Sequence, residues 1–293
     1  MTTNFTTKLR SWLLIAGLSG LLVAIGAVIG GSALYLFIAL TVLFNVAMYW
    51  FSDRIALKMS RAQPVSESEA PGLYEDVREL SERAGIPMPR VYVIPAEQPN
   101  AFATGRNPEH SAVAVTSGML ESLPRDQVRA VLAHELAHVR NRDVLVATIA
   151  AVIAGAIAAI ANFLQFSLLF GGGDDDESPL GIVGALATII VAPLAAMLLQ
   201  LAVSRQREYL ADATGARIIG EGRPLADALE SIHAKVAMKP MAVNPATEAL
   251  YIANPLAGVR GVASLFSTHP PVQERVRRLR ALDVELVGRV AFA

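Results

Sequence analysis

The chain has 293 residues, 53% hydrophobic and only 17% charged, with 26 acidic against 25 basic side chains and no cysteine. Soluble domains carry about 25% charged residues, so an ordinary water-soluble protein is excluded and part of the chain must match an apolar solvent. A net charge of −1 gives no electrostatic footing for nucleic-acid binding. The lack of cysteine excludes disulfides and thiolate chemistry and fits a reducing compartment.

In chain order, the first elements are two uncharged runs, Trp12 to Gly31 and Ala33 to Phe51. Each is long enough to cross a hydrocarbon core of about 30 Å as a helix. Lys8 and Arg10 give the first run the outline of a signal peptide. No small-residue cleavage site follows, and Gly30-Gly31-Ser32 leads straight into the second run, so an uncleaved helical hairpin is expected. Pro71 to Ala84 then reads as a helix with Leu73, Val77 and Leu80 on one face. Gly85-Ile86-Pro87-Met88-Pro89 breaks it, and Arg90 to Ile94 reads as a short strand. Asn100 to Gly105 and Ser111 to Thr116 flank the loop Arg106 to His110 as the arms of a hairpin.

The next element carries chemistry. Val128, Val131, Leu132 and Leu136 form an apolar stripe at helical spacing, with Ser122 and Pro124 as a plausible start. On that helix stands His134-Glu135-Leu136-Ala137-His138. Residues four apart share a helix face, so both imidazoles can aim a nitrogen at one metal ion. Glu135 projects at an angle from that face, where its carboxylate can take a proton from an attacking water. The plain alternative is an amphipathic helix that happens to hold two histidines. With five histidines in the whole chain, two at this spacing around a glutamate favour zinc. Zinc peptidases of this build take substrate as an added strand along a sheet edge. Either arm of the hairpin offers that edge, unless the sheet only covers the active-site helix.

Two further uncharged runs follow, Val144 to Phe170 and Leu180 to Val203, separated by an acidic loop with Asp174, Asp175, Asp176 and Glu177. Both read as spans, with buried core helices, and so two spans in all, as the alternative. The loop reads as a solvated connector. Every basic cluster next to a run falls on one side: Lys8 and Arg10, then Arg54, Lys58 and Arg61, then Arg140 and Arg142, then Arg205 and Arg207. That side is the cytoplasm by the positive-inside rule, so both termini and the histidine motif face it.

A catalytic zinc with two histidines needs a third protein ligand. Glu208 and Asp212 lie four apart in the helical stretch Ser204 to Ala213. Glu208 suits a metal ligand, and Asp212 suits a hydrogen-bond acceptor that orients an imidazole. Surface pairing with Arg205, Arg207 or Arg217 is the ordinary alternative, and Glu230 and Glu248 compete as ligands. His269 precedes Pro270-Pro271 and a helix with Val272, Val276 and Leu279 on its apolar side. It either donates to an oxyanion or docks that helix, and it is kept out of the catalytic set. His110 and His233 read as surface residues.

The segments His134-Glu-Leu-Ala-His-Val-Arg-Asn-Arg-Asp143, Arg207-Glu-Tyr-Leu-Ala-Asp212 and Ser267-Thr-His-Pro-Pro271 with Glu274-Arg275 resemble the successive motifs of the HtpX family. That family comprises bacterial membrane metalloproteases of heat-shock quality control, related to the CAAX prenyl endopeptidases. The resemblance spans essentially the whole chain. It implies one zinc ion held by His134, His138 and Glu208, with Glu135 as the catalytic acid and base. It further implies membrane-protein and unfolded polypeptide substrates, and work alongside other quality-control proteases. The acidic loop belongs to no motif of the family.

The expected protein is thus an integral protein of the bacterial cytoplasmic membrane, with helical spans and an α+β, zincin-like metallopeptidase domain built from an HExxH active-site helix and a small sheet. Residues 1–51 form the first membrane hairpin and 144–203 the second pair, with spans at 144–170 and 180–203 around the external loop 171–179. Residues 52–143 and 204–293 are the two parts of the cytoplasmic domain. Partners are the lipid bilayer and polypeptide substrates, not nucleic acid. Two other functions compete. In a site-2-type intramembrane protease the motif would lie inside a span, but here Arg125, Asp126, Arg129, Arg140, Arg142 and Asp143 surround it. A non-catalytic scaffold with structural zinc would not need Glu135.

Overall fold

The computed structural model of the chain describes residues 19, 20, 23, 27, 31–145, 147–153, 205–238, 250–253 and 270–290. The fourth apolar run, most of the third, the acidic loop, Glu248 and His269 lie outside the described residues.

Helix α1 spans Ser32–Met59, and over Leu34–Met59 it is long and apolar enough to cross a membrane. Only 11% of its apolar 18-residue window is buried inside the protein, a low share for the core helix of a soluble domain. Its exposed side chains, from Tyr35 to Trp50 and Phe51, give way at Ser52 to buried ones, with Ala56 and Leu57 packed into the domain. The Asn45 amide donates to Ser19 Oγ at 2.9 Å, a polar tie between α1 and the first apolar run.

Four strands follow: β1 (Gln63–Pro64), β2 (Arg90–Ile94), β3 (Ala101–Gly105) and β4 (Ser111–Thr116). They form one mixed sheet in the order β1-β2-β4-β3. β4 lies parallel to β2 and antiparallel to β3, so the hairpin's first arm is the sheet edge and its second arm is central. Alternation of side chains gives the sheet two buried faces. Val91, Ala101, Val113 and Val115 join the main core. Phe102, Ala112 and Ala114 pack instead with Ala56 and Leu57 of α1 and with Ala150 to Val152. The small side chains of β3 and β4 let helices approach from both sides. At the hairpin tip the Arg106 guanidinium lies 4.5 Å from the Trp50 ring centroid, and Arg90 pairs with Asp53 at 2.6 Å. These contacts fasten the sheet to the end of α1.

The main core is closed by helices. α2 (Pro71–Ala84) opens on proline and ends at Gly85, whose φ of 67° supplies the left-handed cap. A short α3 (Ser117–Ser122) precedes α4 (Arg125–Asn141), which starts after Pro124. Ser122 therefore ends the preceding turn rather than capping α4. Arg125 and Arg129 of α4 converge on Asp76 of α2, a nearly buried carboxylate, and on its neighbours Glu75 and Glu79. α5 (Arg205–Ile219), α6 (Arg223–Met238) and α7 (Val272–Val290) complete the layer. Val276 and Leu279 of α7 are buried in the same core.

Candidate metal centre

The α4 helix presents His134 and His138 with their Nε2 atoms 3.2 Å apart and their rings at a T-shaped 89°. Glu208 arrives from α5, with Oε1 3.4 Å from His138 Nε2 and Oε2 4.0 Å from His134 Nε2. All three ligand atoms fall within 4.8 Å of one another. Atoms about 2.1 Å from a tetrahedral ion stand about 3.4 Å from each other, so this donor set fits zinc in type and in spacing. The closeness of α5 to α4 is set by Gly215, where an added Cβ would stand 2.9 Å from the His134 backbone nitrogen. Glu208, Asp212 and Gly215 recur at helical spacing on the face of α5 turned to α4.

The electrostatics point to a cation at the same place. Burial lowers the proton affinity of His134. Burial also works against a charged His138, but the carboxylates of Asp143 and Glu208 outweigh it and hold this ring well above the ordinary imidazole range. Two nitrogens so close, flanked by carboxylates, call for one shared positive charge. Glu135 is 3% exposed, and burial pushes its carboxyl up to about 8 despite the nearby His138. It accepts a hydrogen bond from the Ala103 backbone on β3.

Each histidine has a carboxylate behind it. Asp212 Oδ1 lies 3.0 Å from His134 Nδ1, close but off the line of an ideal hydrogen bond. Asp143 Oδ1 lies 3.2 Å from His138 Nδ1. Asp143 reaches back because Arg142, with φ of 60°, turns the chain sharply at the end of α4. Behind Asp212 stands Arg275 of α7, 1% exposed and forked onto both carboxylate oxygens.

A family model described as Peptidase family M48 matches residues 67–283, a range that holds every residue of this centre. The chain belongs to peptidase family M48. Within it the chain is of the HtpX type. It is 54% identical over 280 residues to "Protease HtpX homolog" of Pelotomaculum thermopropionicum, covering 94% of this chain and 99% of the relative. Its identity to the protein of the same name from Syntrophobacter fumaroxidans is 51% over 281 residues, covering 94% and 99%. The corresponding figure for Pyrococcus furiosus is 50% over 279 residues, covering 94% and 96%. The crystal structure of S. mikatae Ste24p aligns over 95% of this chain and 67% of that chain at 20% identity, with a TM-score of 0.49.

For this M48 metalloprotease, the fold brings together the four residues singled out from the motifs, His134, Glu135, His138 and Glu208. Glu230 is not among them, since it is exposed and paired with Arg280 at 2.8 Å on the outer surface. His110 and His233 are exposed and stand outside the group His134, His138 and Glu208. Two residues at the centre were not assigned a role from the sequence. Asp143 carried a signal, as an acid placed just past the end of the motif helix. Arg275 stands in the segment Glu274-Arg275 that carries the resemblance, but its role was not readable because 63 residues separate it from Asp212.

Proposed function

We propose that this protein is a membrane-embedded zinc endopeptidase that cleaves misfolded or damaged membrane proteins and unfolded polypeptides from the cytoplasmic side of the bacterial membrane. The observation that carries this reading is the meeting of His134, His138 and Glu208 ligand atoms within 4.8 Å, beside a buried glutamate. The chemistry a bound zinc would supply is Lewis acidity, polarising the scissile carbonyl and acidifying the attacking water. Glu135 acts as general base toward that water and later returns the proton to the leaving amine. Asp212 and Asp143 hold the two imidazoles in the tautomer that offers Nε2 to the metal.

The edge of β3 orients the substrate. Thr116 donates its N–H to Asn100 O at 2.9 Å, so by the antiparallel alternation residues 101, 103 and 105 turn their polar groups away from β4. Ile252 N already donates to Ala101 O at 3.0 Å. The Ala103 N–H is taken by Glu135, so an extended peptide would pair through the Ala103 carbonyl and the Gly105 backbone, beside Glu135. The ion pairs of α4 with α2 support a water-side active site over one inside a span.

Two experiments test this reading. The full chain purified in detergent should hydrolyse casein, lose that activity on exhaustive chelation and regain it with one equivalent of zinc. Hydrolysis that survives metal removal would reject the mechanism. For topology, a reporter fused at Gly172 should be exported, whereas reporters after Arg61 or at Ala293 should stay cytoplasmic. A cytoplasmic Gly172 would mean that residues 144–170 and 180–203 do not span, and the four-span arrangement would fall.

A further inference from the structure

The α7 helix sends one cation into the interior. Arg275 is fully buried, and an arginine in that position is tolerated only when its donors are met by fixed acceptors. Here Nε lies 2.9 Å from Asp212 Oδ2 and Nη2 lies 2.7 Å from Oδ1, a two-pronged pair. The remaining nitrogen, Nη1, donates to Ile252 O at 3.3 Å and stands 3.6 Å from Glu208 Oε2. The guanidinium thus touches the carboxylate behind one histidine, the carboxylate of the third ligand, and the residue whose N–H is bonded to the β3 edge.

This geometry has a consequence for metal binding. Asp212 has two oxygens, and Oδ1 faces both His134 Nδ1 at 3.0 Å and Arg275 Nη2 at 2.7 Å. The fork fixes the rotation of that carboxylate, and without it His134 would lose its support. The planar guanidinium sets both oxygens at once, which a lysine cannot do. Its charge also offsets part of the repulsion among Glu135, Glu208 and Asp212, all of them buried.

We propose that Arg275 is a positioning residue of the metal centre, which sets zinc affinity by locking the Asp212 carboxylate against His134. The proposal rests on the reading of His134, His138 and Glu208 as zinc ligands. Arg275 Nη2 also stands 3.5 Å from His134 Nε2, too far for a firm hydrogen bond, and in this role Arg275 acts through Asp212.

The test is zinc affinity, measured on the detergent-purified full chain by competition with a chromophoric chelator, alone and in a double-mutant cycle. Arg275→Met should weaken zinc binding by about 10–100-fold, the range for removing an outer partner of a ligand. Asp212→Asn should cost a similar factor, and adding Arg275→Met to Asp212→Asn should cost less than about twofold more, because the route is already cut. Arg275→Lys keeps the charge but not the fork and should fall between wild type and Arg275→Met, which decides the matter if the methionine variant does not fold. Arg280→Met, at the surface, is the control and should bind zinc as wild type does. Wild-type affinity in Arg275→Met or Arg275→Lys would overturn the proposal and leave the ligand set standing. Fully independent losses for Arg275→Met and Asp212→Asn would also overturn it. If the wild-type chain takes up no zinc at all, the ligand assignment fails first and the proposal with it.

Discussion

Glu135→Gln should cut peptide hydrolysis by at least about 100-fold, the scale of a lost general base, while bound zinc and folding stay as in wild type. The substitution is close to isosteric, and the amide oxygen can still accept the Ala103 N–H that the carboxylate accepts now. The carboxyl it replaces is 3% exposed and pushed toward its neutral form by burial, so the fold has no reason to suffer. What disappears is the carboxylate beside the histidines assigned to take a proton from the attacking water. Metal analysis, circular dichroism and a casein assay on the same preparation check the three parts together. Activity above a per cent or so of wild type, with host proteases excluded, would remove Glu135 from the mechanism.

Local elements were legible wherever one physical signal dominated. Pro71 and Gly85 bound α2 because proline suits a first turn and glycine a left-handed cap, and the helix runs between them. The strand at Arg90–Ile94 and the hairpin around Arg106 to His110 came from β-branched and alternating residues around turn formers, and both pair in the sheet. Strand β1, with its two residues Gln63 and Pro64, has no such pattern and exists only because β2 offers an open side. Strand order was equally out of reach. Nothing in the hairpin says that β4 inserts next to β2 and leaves β3 as the edge, since that choice depends on which neighbours cover Ala112 and Ala114.

The same division runs through the centre. The spacing of His134 and His138 is a property of one helix, so it could be read directly. Glu208 required a second helix to arrive in register, and Gly215 is where that register is set, since any larger residue would press on the His134 backbone. Asp143 depends on the positive φ of Arg142, an unusual conformation for a non-glycine residue. Arg275 depends on α7 docking across the back of α5. The long apolar runs showed where lipid is to be expected, yet α1 continues to Met59, past the last exposed apolar residue. Its final turns serve the domain core through Ala56 and Leu57.

Glu208→Ala should abolish most zinc binding, with an affinity loss well beyond the roughly 10–100-fold expected for Asp212→Ala, because it deletes a donor atom rather than the support of one. Two histidines would remain, and Nε2 atoms 3.2 Å apart would face a site one ligand short. Buried Arg275 would also lose a neighbouring charge at 3.6 Å, although its fork on Asp212 remains. Glu230→Ala is the matched comparison, since that carboxylate is half exposed and bonded to Arg280 on the outer side of α6. It should keep full zinc content and activity. Equilibrium dialysis against buffered zinc, followed by metal analysis and the casein assay, separates the three variants. Full occupancy and activity in Glu208→Ala would reject the third ligand and send the search to carboxylates outside the described residues, Glu248 foremost. Loss in both Glu208→Ala and Glu230→Ala would instead mean that the assay reports general destabilisation of the α5 and α6 layer. The ordering expected from the geometry is therefore specific: Glu208→Ala far below Asp212→Ala, and Glu230→Ala level with wild type.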